Sequence, residues 1–179
     1  MDISACALSG HRPSRFHFGY DESHEDCMKI KATLREQIEF LVEKNVTIYY
    51  SGMAMGIDLW AASIVLDLKS SNANIHLNAA IPCRTQADRW PLEQQEFYYD
   101  ILDKCGHVTT LYEKYTRSCM FERNRYMVDR SDYLLAVYDG NAKGGTAYTT
   151  DYARKKGREI IIIHPDTLVV TNSFGLMSK

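Results

Sequence analysis

Val46-Thr47-Ile48-Tyr49-Tyr50-Ser51-Gly52-Met53-Ala54-Met55-Gly56-Ile57-Asp58-Leu59-Trp60-Ala61-Ala62 is the stretch whose reading decides the fold. Residues 46–50 are β-branched and aromatic, the composition of a short buried strand. Residues 59–66 are apolar without a period-2 break, which reads as a buried helix. Between them lies a turn of small residues. Such a turn between strand and helix lets the backbone approach an anion, and a helix N-terminus adds unpaired N–H groups and a partial positive charge. From the residues alone, positions 51–58 fit either a phosphate-holding loop or a tight connection whose glycines serve chain geometry. The dinucleotide fingerprint G-x-G-x-x-G is absent, which excludes a standard NAD site.

Working outward, strand-like and helix-like segments alternate along most of the chain. A first strand spans residues 3–8 and ends at Ser9-Gly10-His11-Arg12-Pro13. Ser23-His24-Glu25-Asp26 has the form of a capping box and opens a helix to about Lys44. Within it Cys27, Ile30, Leu34, Ile38, Leu41 and Val42 recur at spacings of three and four, one buried stripe, and Asn45 closes it. The helix after the decisive turn covers residues 55–69, and a third strand residues 75–81. Pro91 suits the first turn of a helix to Lys104 that stops at Gly106. A strand at 107–111, a helix at 119–129 and a strand at 133–138 follow. Gly144-Gly145-Thr146 then opens a helix ending at Gly157, and residues 159–163 form the last strand.

Continuous apolar strands, each followed by a helix, define an α/β fold: a Rossmann-like three-layer sandwich with a mainly parallel central sheet. The chain reads as a single domain over residues 1–165 with a loose tail or edge addition at 166–179. In open sheets of this kind ligands lie at the carboxyl ends of the strands, where the topology switches. All the small-residue loops are strand-to-helix loops, so they converge on that edge.

The net charge of −2 supplies no basic field for nucleic acid, so a nucleic-acid partner is not expected. Five cysteines, odd in number and without a C-x-x-C pair, argue for reduced thiols rather than disulfides or zinc. No metal centre and no cofactor are expected. No charged leader with an apolar core precedes the first strand, and no apolar run reaches the roughly 18 residues of a membrane span. The expectation is a cytoplasmic protein without a membrane partner.

Several further motifs bear on chemistry. Gly144-Gly145-Thr146 fits phosphate or ribose contact at a helix start, or equally a flexible connector. Arg12 and Arg15, leaving the first strand, can reach a phosphate bidentately, while His11 reads better as a structural imidazole than as a catalyst. Arg84, Arg89 and Trp90 can flank a base or sugar, or Trp90 can anchor the start of its helix in the core. Met120-Phe121-Glu122-Arg123-Asn124-Arg125 reads from periodicity as a solvated amphipathic helix. No Ser/His/Asp or Cys/His constellation is present.

Taken together, Gly10-His11-Arg12-Pro13, Ser51-Gly52-x-Ala54-x-Gly56-Ile57-Asp58, the Trp90 segment, Glu122-Arg123-Asn124-Arg125 and Gly144-Gly145-Thr146 resemble the SLOG superfamily, specifically its YpsA-like branch. That superfamily includes DprA (Smf) and the LOG nucleotide hydrolases, and the resemblance covers roughly residues 3–165. It implies a Rossmann-like fold that binds nucleotides or nucleotide-derived ligands, often as dimers or larger oligomers. The ligand-binding positions it marks, together with the arginines above, are Gly10, His11, Arg12, Ser51, Gly52, Met53, Ala54, Gly56, Asp58, Arg84, Arg123, Gly144, Gly145 and Thr146. In LOG enzymes an arginine in Met-x-Glu-Arg and a glutamate after a glycine-rich loop cleave a base–ribose bond. Met120-Phe121-Glu122-Arg123 matches the first element, so Arg123, with Glu122, is the catalytic candidate. Three places after Thr146 stands Thr149 rather than glutamate, and the nearest acid is Asp151.

The resemblance therefore implies, first, a binder of a nucleotide-derived molecule such as an ADP-ribose-like compound. The alternatives are a nucleoside-monophosphate glycosidase and, further off, DprA-like single-stranded DNA binding. A homodimer is the expected assembly.

Overall fold

The computed structural model describes residues 4–173. Seven strands form one sheet in the order β4-β3-β2-β1-β5-β6-β7. They are β1 (Ser4–Gly10), β2 (Val46–Ser51), β3 (His76–Cys83), β4 (His107–Tyr112), β5 (Tyr133–Val137), β6 (Glu159–Ile163) and β7 (Val170–Asn172). The helices between them are α1 (Glu25–Glu43), α2 (Ile57–Ser71), α3 (Leu92–Lys104), α4 (Cys119–Asp129) and α5 (Gly145–Lys155), with a 3-10 turn at Pro13–Arg15. Every pair from β4 across to β6 is parallel, and only β7 runs antiparallel to its neighbour β6. The expected architecture is present. The segment from residue 166 contributes β7 to the sheet edge, and residues 174–179 lie outside the described residues, as does Ile3 of the expected first strand.

Two separate cores explain the three layers. Alternation with period 2 sends Leu8, Leu77, Leu135, Val137, Ile161 and Ile163 to one face. There they meet the α1 stripe, Trp60 of α2 and Ile101 of α3. The intervening Ala7, Ala80, Leu134, Ala136 and Ile160 face α4 and α5, where Met127, Val128, Ala147 and Ala153 complete the smaller core. In α1 Cys27, Ile30, Leu34, Ile38 and Leu41 are buried, while Val42 is partly exposed at the edge of the stripe. Each large side chain so buried contributes about 1.5–3 kcal/mol.

Helix ends follow local chemistry. The N-cap of α1 is His24, whose ring Nδ1 accepts from the Asp26 N–H at 3.1 Å, rather than Ser23. Ser23 instead turns its hydroxyl back to Asp21, so the capping box does not form. Asn45, at φ 62°, closes α1 in the left-handed conformation that asparagine tolerates. Helix α3 ends at Lys104 as expected, with Cys105 as its C-cap, and the N–H of Gly106 goes to Leu77 O at 2.8 Å. The five cysteines are free thiols. Among the described residues no helix is long and apolar enough to cross a membrane.

The strand order fixes where a ligand can sit. From β1 the chain steps outward through β2, β3 and β4, then returns through α4 to β5 on the other side of β1. The loops leaving β1 and β5 therefore diverge and leave a crevice at the carboxyl end of the sheet.

Candidate functional site

A cavity of about 390 Å³ fills that crevice, within the range of small-ligand pockets. One wall comes from the turn after β1, with Gly10, His11, Arg12 and Arg15. Ala54 and Asp58 come from the β2–α2 loop, and Arg123 and Asn124 from α4. The opposite wall is Lys143, Gly144, Gly145 and Thr146 at the start of α5. Tyr115 and Arg117, from the loop before α4, and Phe121 stand at the mouth.

The β2–α2 loop is built as a support. Ser51 is fully buried, donates its hydroxyl to Asp58 O at 2.9 Å and accepts from Met53 N at 3.1 Å. Met53 adopts φ 57° with its side chain in the core. Gly56 is required by its φ of 89° and because a Cβ there would lie 2.8 Å from His11 O. Gln86, in the loop after β3, donates to Met53 O at 2.8 Å and fixes the loop from behind. Ser51, Gly52, Met53 and Gly56 thus stand behind the cavity lining, while Ala54 and Asp58 form it.

Asp58 changes what this loop offers an anion. It sits in the first turn of α2, nearly buried, and accepts from Ala54 N at 3.4 Å. Its own carboxylate therefore occupies the electropositive end of α2. Burial pushes the Asp58 carboxyl up, and the Arg123 guanidinium at 3.9 Å pulls it back. Arg123 is only 5% exposed; burial lowers its pKa, and Asp58 opposes the shift. Its Nη1 donates to Gly52 O and its Nε to Asn124 Oδ1 at 2.7 Å.

The start of α5 is different. Its N-cap Gly144 has no side chain to bond the first-turn N–H groups, and the first turn holds no acidic residue. Lys143 precedes it, exposed, at the cavity wall. Arg12, Arg15 and Arg117 face the same space. Of the two glycine loops, this is the one whose helix end is open to a ligand's negative charge.

His11 joins the two loops that diverge at the crevice. It is buried, its carbonyl accepts from Ile57 N at 3.4 Å, and its Nε2 accepts from Asp139 N at 3.3 Å. Burial lowers its pKa, with Arg15 adding to the effect and Asp139, whose Oδ1 lies 3.3 Å from Nε2, opposing it. Asp139 in turn receives Arg15 Nη2 at 2.9 Å.

Three expected site residues lie elsewhere. Glu122 turns into a neighbouring groove beside Arg125 and Tyr126, where Tyr112 OH donates to it. Consecutive residues on a helix point about 100° apart; here Arg123 and Asn124 turn to the cavity and Glu122 to the groove. Asp151 is exposed and paired with Arg154 at 2.9 Å. Arg84 is exposed and paired with Glu113 at 2.6 Å. Of its two readings, Trp90 takes the anchoring one, packing on the core edge-on to Tyr98 at 5.4 Å. Thr149 is buried and hydrogen-bonded to Asn124 and to Gly145 O. Among the described residues Asp58 is the carboxylate that lines the cavity, and it is engaged with Ala54 N and Arg123.

Tyr115, Arg117, Lys143 and Asn124 join the cavity without having been singled out as site residues. Lys143 had a signal in standing just before the double glycine. Tyr115 and Arg117 lie in a loop without periodicity or motif. Among the described residues, His17, His24 and Asp26 bring metal-type donors within 4.8 Å of one another. His24 Nδ1 is already the helix cap and Asp26 pairs with Lys29, so this trio is a capping cluster.

The YpsA family model, described as the YspA SLOG family, matches residues 6–168. A UPF0398 protein of Bacillus thuringiensis (strain Al Hakam) is 30% identical over 158 residues, covering 87% of this chain and 85% of that protein. Among solved structures, DprA of Streptococcus pneumoniae shares the fold with a TM-score of 0.63 at 18% identity. That match covers 93% of this chain and 52% of the DprA chain, so the protein spans about half of it. A DprA from Helicobacter pylori, described by its single-stranded DNA binding mode, gives 0.59 at 19% identity, covering 89% of this chain and 64% of that one. With its sheet order, its two glycine loops at one crevice and the family match across nearly its whole length, the chain belongs to the YpsA family of SLOG proteins.

Proposed function

We propose that the cavity binds a nucleotide or nucleotide-derived molecule such as an ADP-ribose-like compound, and that the protein is a cytoplasmic sensor or store of that ligand. The observation that carries this reading is the open first turn of α5, facing a cavity of about 390 Å³ beside Lys143, Arg12, Arg15 and Arg117. A phosphate fits there by charge and by unpaired N–H donors. Tyr115 and Phe121, 63% and 42% exposed at the mouth, offer aromatic faces to a base.

Cleavage of a nucleoside monophosphate is the weaker reading. An oxocarbenium-like transition state needs a carboxylate at the sugar, and Glu122, Asp151 and Thr149 do not supply one. Single-stranded DNA binding, described for the Helicobacter pylori relative, has less support in a chain of net charge −2. The family expectation of a homodimer is part of the proposal, and light scattering of the purified chain checks it.

Calorimetry with AMP, ADP-ribose and NAD tests the main reading. A Kd below about 1 mM for at least one of them is expected. Gly145→Ala is the matched control: the nearest atom to its new methyl is Asn124 Nδ2 at 3.9 Å, so the fold accepts it while the anion's approach is crowded. No binding of any of the three, or equal binding by the variant, would overturn the proposal.

A further inference from the structure

Asn124 stands next to Arg123 on α4 and uses both ends of its amide. Its Oδ1 accepts from Arg123 Nε at 2.7 Å, and its Nδ2 donates to Thr149 Oγ1 at 2.7 Å. The Thr149 hydroxyl then donates to Gly145 O at 2.7 Å. At the other end Arg123 Nη1 donates to Gly52 O. An unbroken path of hydrogen bonds thus crosses from the β2–α2 loop, through α4, to the first turn of α5. It joins the two walls of the cavity, and its members Arg123, Asn124 and Thr149 are all buried.

The direction of the bonds matters. From the guanidinium onward each group donates to the next, so each bond polarises the one after it, starting from a full positive charge. The path ends on the carbonyl of Gly145, which shares its peptide group with the N–H of Thr146. A carbonyl that accepts a strong hydrogen bond makes the N–H of the same peptide a better donor. Gly145 and Thr146 line the cavity where the first-turn N–H groups of α5 lack a cap.

We infer that Asn124, acting through Thr149, is a positioning residue that locks the Gly145–Thr146 peptide in place and conveys the charge of Arg123 to it, selecting ligands that carry a phosphate. The anion part of this inference rests on the ligand reading given above; the brace between the walls does not. Thr149 then has a purpose where the LOG-like pattern calls for glutamate: it completes the relay to the phosphate seat. Arg123, although it lines the cavity, spends its guanidinium on Gly52 O, Asn124 and Asp58.

The experiment compares Thr149→Val, which keeps the shape and removes the hydroxyl, with Thr149→Ser, which keeps the hydroxyl. Calorimetry uses AMP and adenosine as probes. Thr149→Val is expected to weaken AMP about tenfold and adenosine less than about twofold, as loss of a charge-assisted contact does. Thr149→Ser is expected to bind AMP like the wild type. Equal weakening of both probes, or none, overturns the phosphate selection. A ligand-free measurement separates the brace from the ligand reading. Amide hydrogen exchange in Thr149→Val and Asn124→Ala should quicken at residues 145–148 and also at 53–54, leaving α1 unchanged. Exchange that quickens at one wall only, or throughout the chain, overturns the brace even if AMP binds. If the wild type binds neither probe, the phosphate seat fails and the exchange result alone decides the brace.

Discussion

The guanidinium of Arg123 fills the space that a side chain at Gly52 would take: a Cβ built on residue 52 falls directly on its nitrogen and carbon atoms. Here the glycine is dictated by an arginine from another element. Gly52→Ala is therefore expected to drive the guanidinium off Gly52 O and away from Asp58, leaving buried charge without its partners. The expected loss is about 3–5 kcal/mol by urea denaturation. With Arg123→Ala already in place the alanine at 52 should cost far less, so the double variant falls well short of the sum.

His11 predicts an acid sensitivity. Burial holds its folded pKa below the ordinary 6.5, so in acid the unfolded chain binds the extra proton. Stability is then complete above pH 6.5 and is lost as the pH falls below it. Urea unfolding at pH 7 and pH 5 should show that loss in the wild type. His11→Gln, which keeps an acceptor for Asp139 N without titrating, should show less of it.

Lys143 is exposed beside the open turn of α5, so its effect on a phosphate ligand is charge attraction across solvent. Lys143→Ala should weaken AMP about tenfold at low salt, and the difference from wild type should shrink in high salt. Calorimetry at two ionic strengths reads both. A salt-independent difference would point to a contact other than an ion pair.

Glu122 faces the groove beside Arg125 and Tyr126, away from the cavity. Glu122→Gln should leave the AMP affinity within about twofold of wild type, as expected for a substitution remote from the ligand. Chromatography of long incubations of the wild type with AMP should show no free adenine. Adenine released by the wild type and lost in Glu122→Gln would reverse the assignment.

The sheet and its helices were legible because each depends on a short-range pattern. Residues 46–50 and 133–138 are apolar enough to be buried on both faces, and the α1 stripe repeats at three and four. The end of α1 at Asn45 followed from side-chain chemistry too. Its start did not, because Ser23 found a closer partner in Asp21 and left the cap to His24. The candidate site was legible at the level of loops. Which side chain in a loop or helix turns inward depends on packing from elsewhere in the chain. Glu122 and Arg123 are adjacent in sequence, and only the seating of α4 on the sheet decides between them. Ser51 matched a signature and proved to be a brace. Tyr115 and Arg117 matched none and stand at the mouth.

The two margins of the sheet are finished differently. Beyond β6, the antiparallel β7 and the Ser173 hydroxyl, which accepts from Ile160 N at 2.8 Å, hem one side. On the far side, among the described residues, β4 pairs with β3 alone, and no residue in it carries a formal charge or is a proline, the usual means of blunting an edge. Among the described residues no strand meets the outer main-chain groups of β4, so that flank is where a further strand can add. The two margins are thus unequal: the three residues of β7 trim one, and the six of β4 lie along the other.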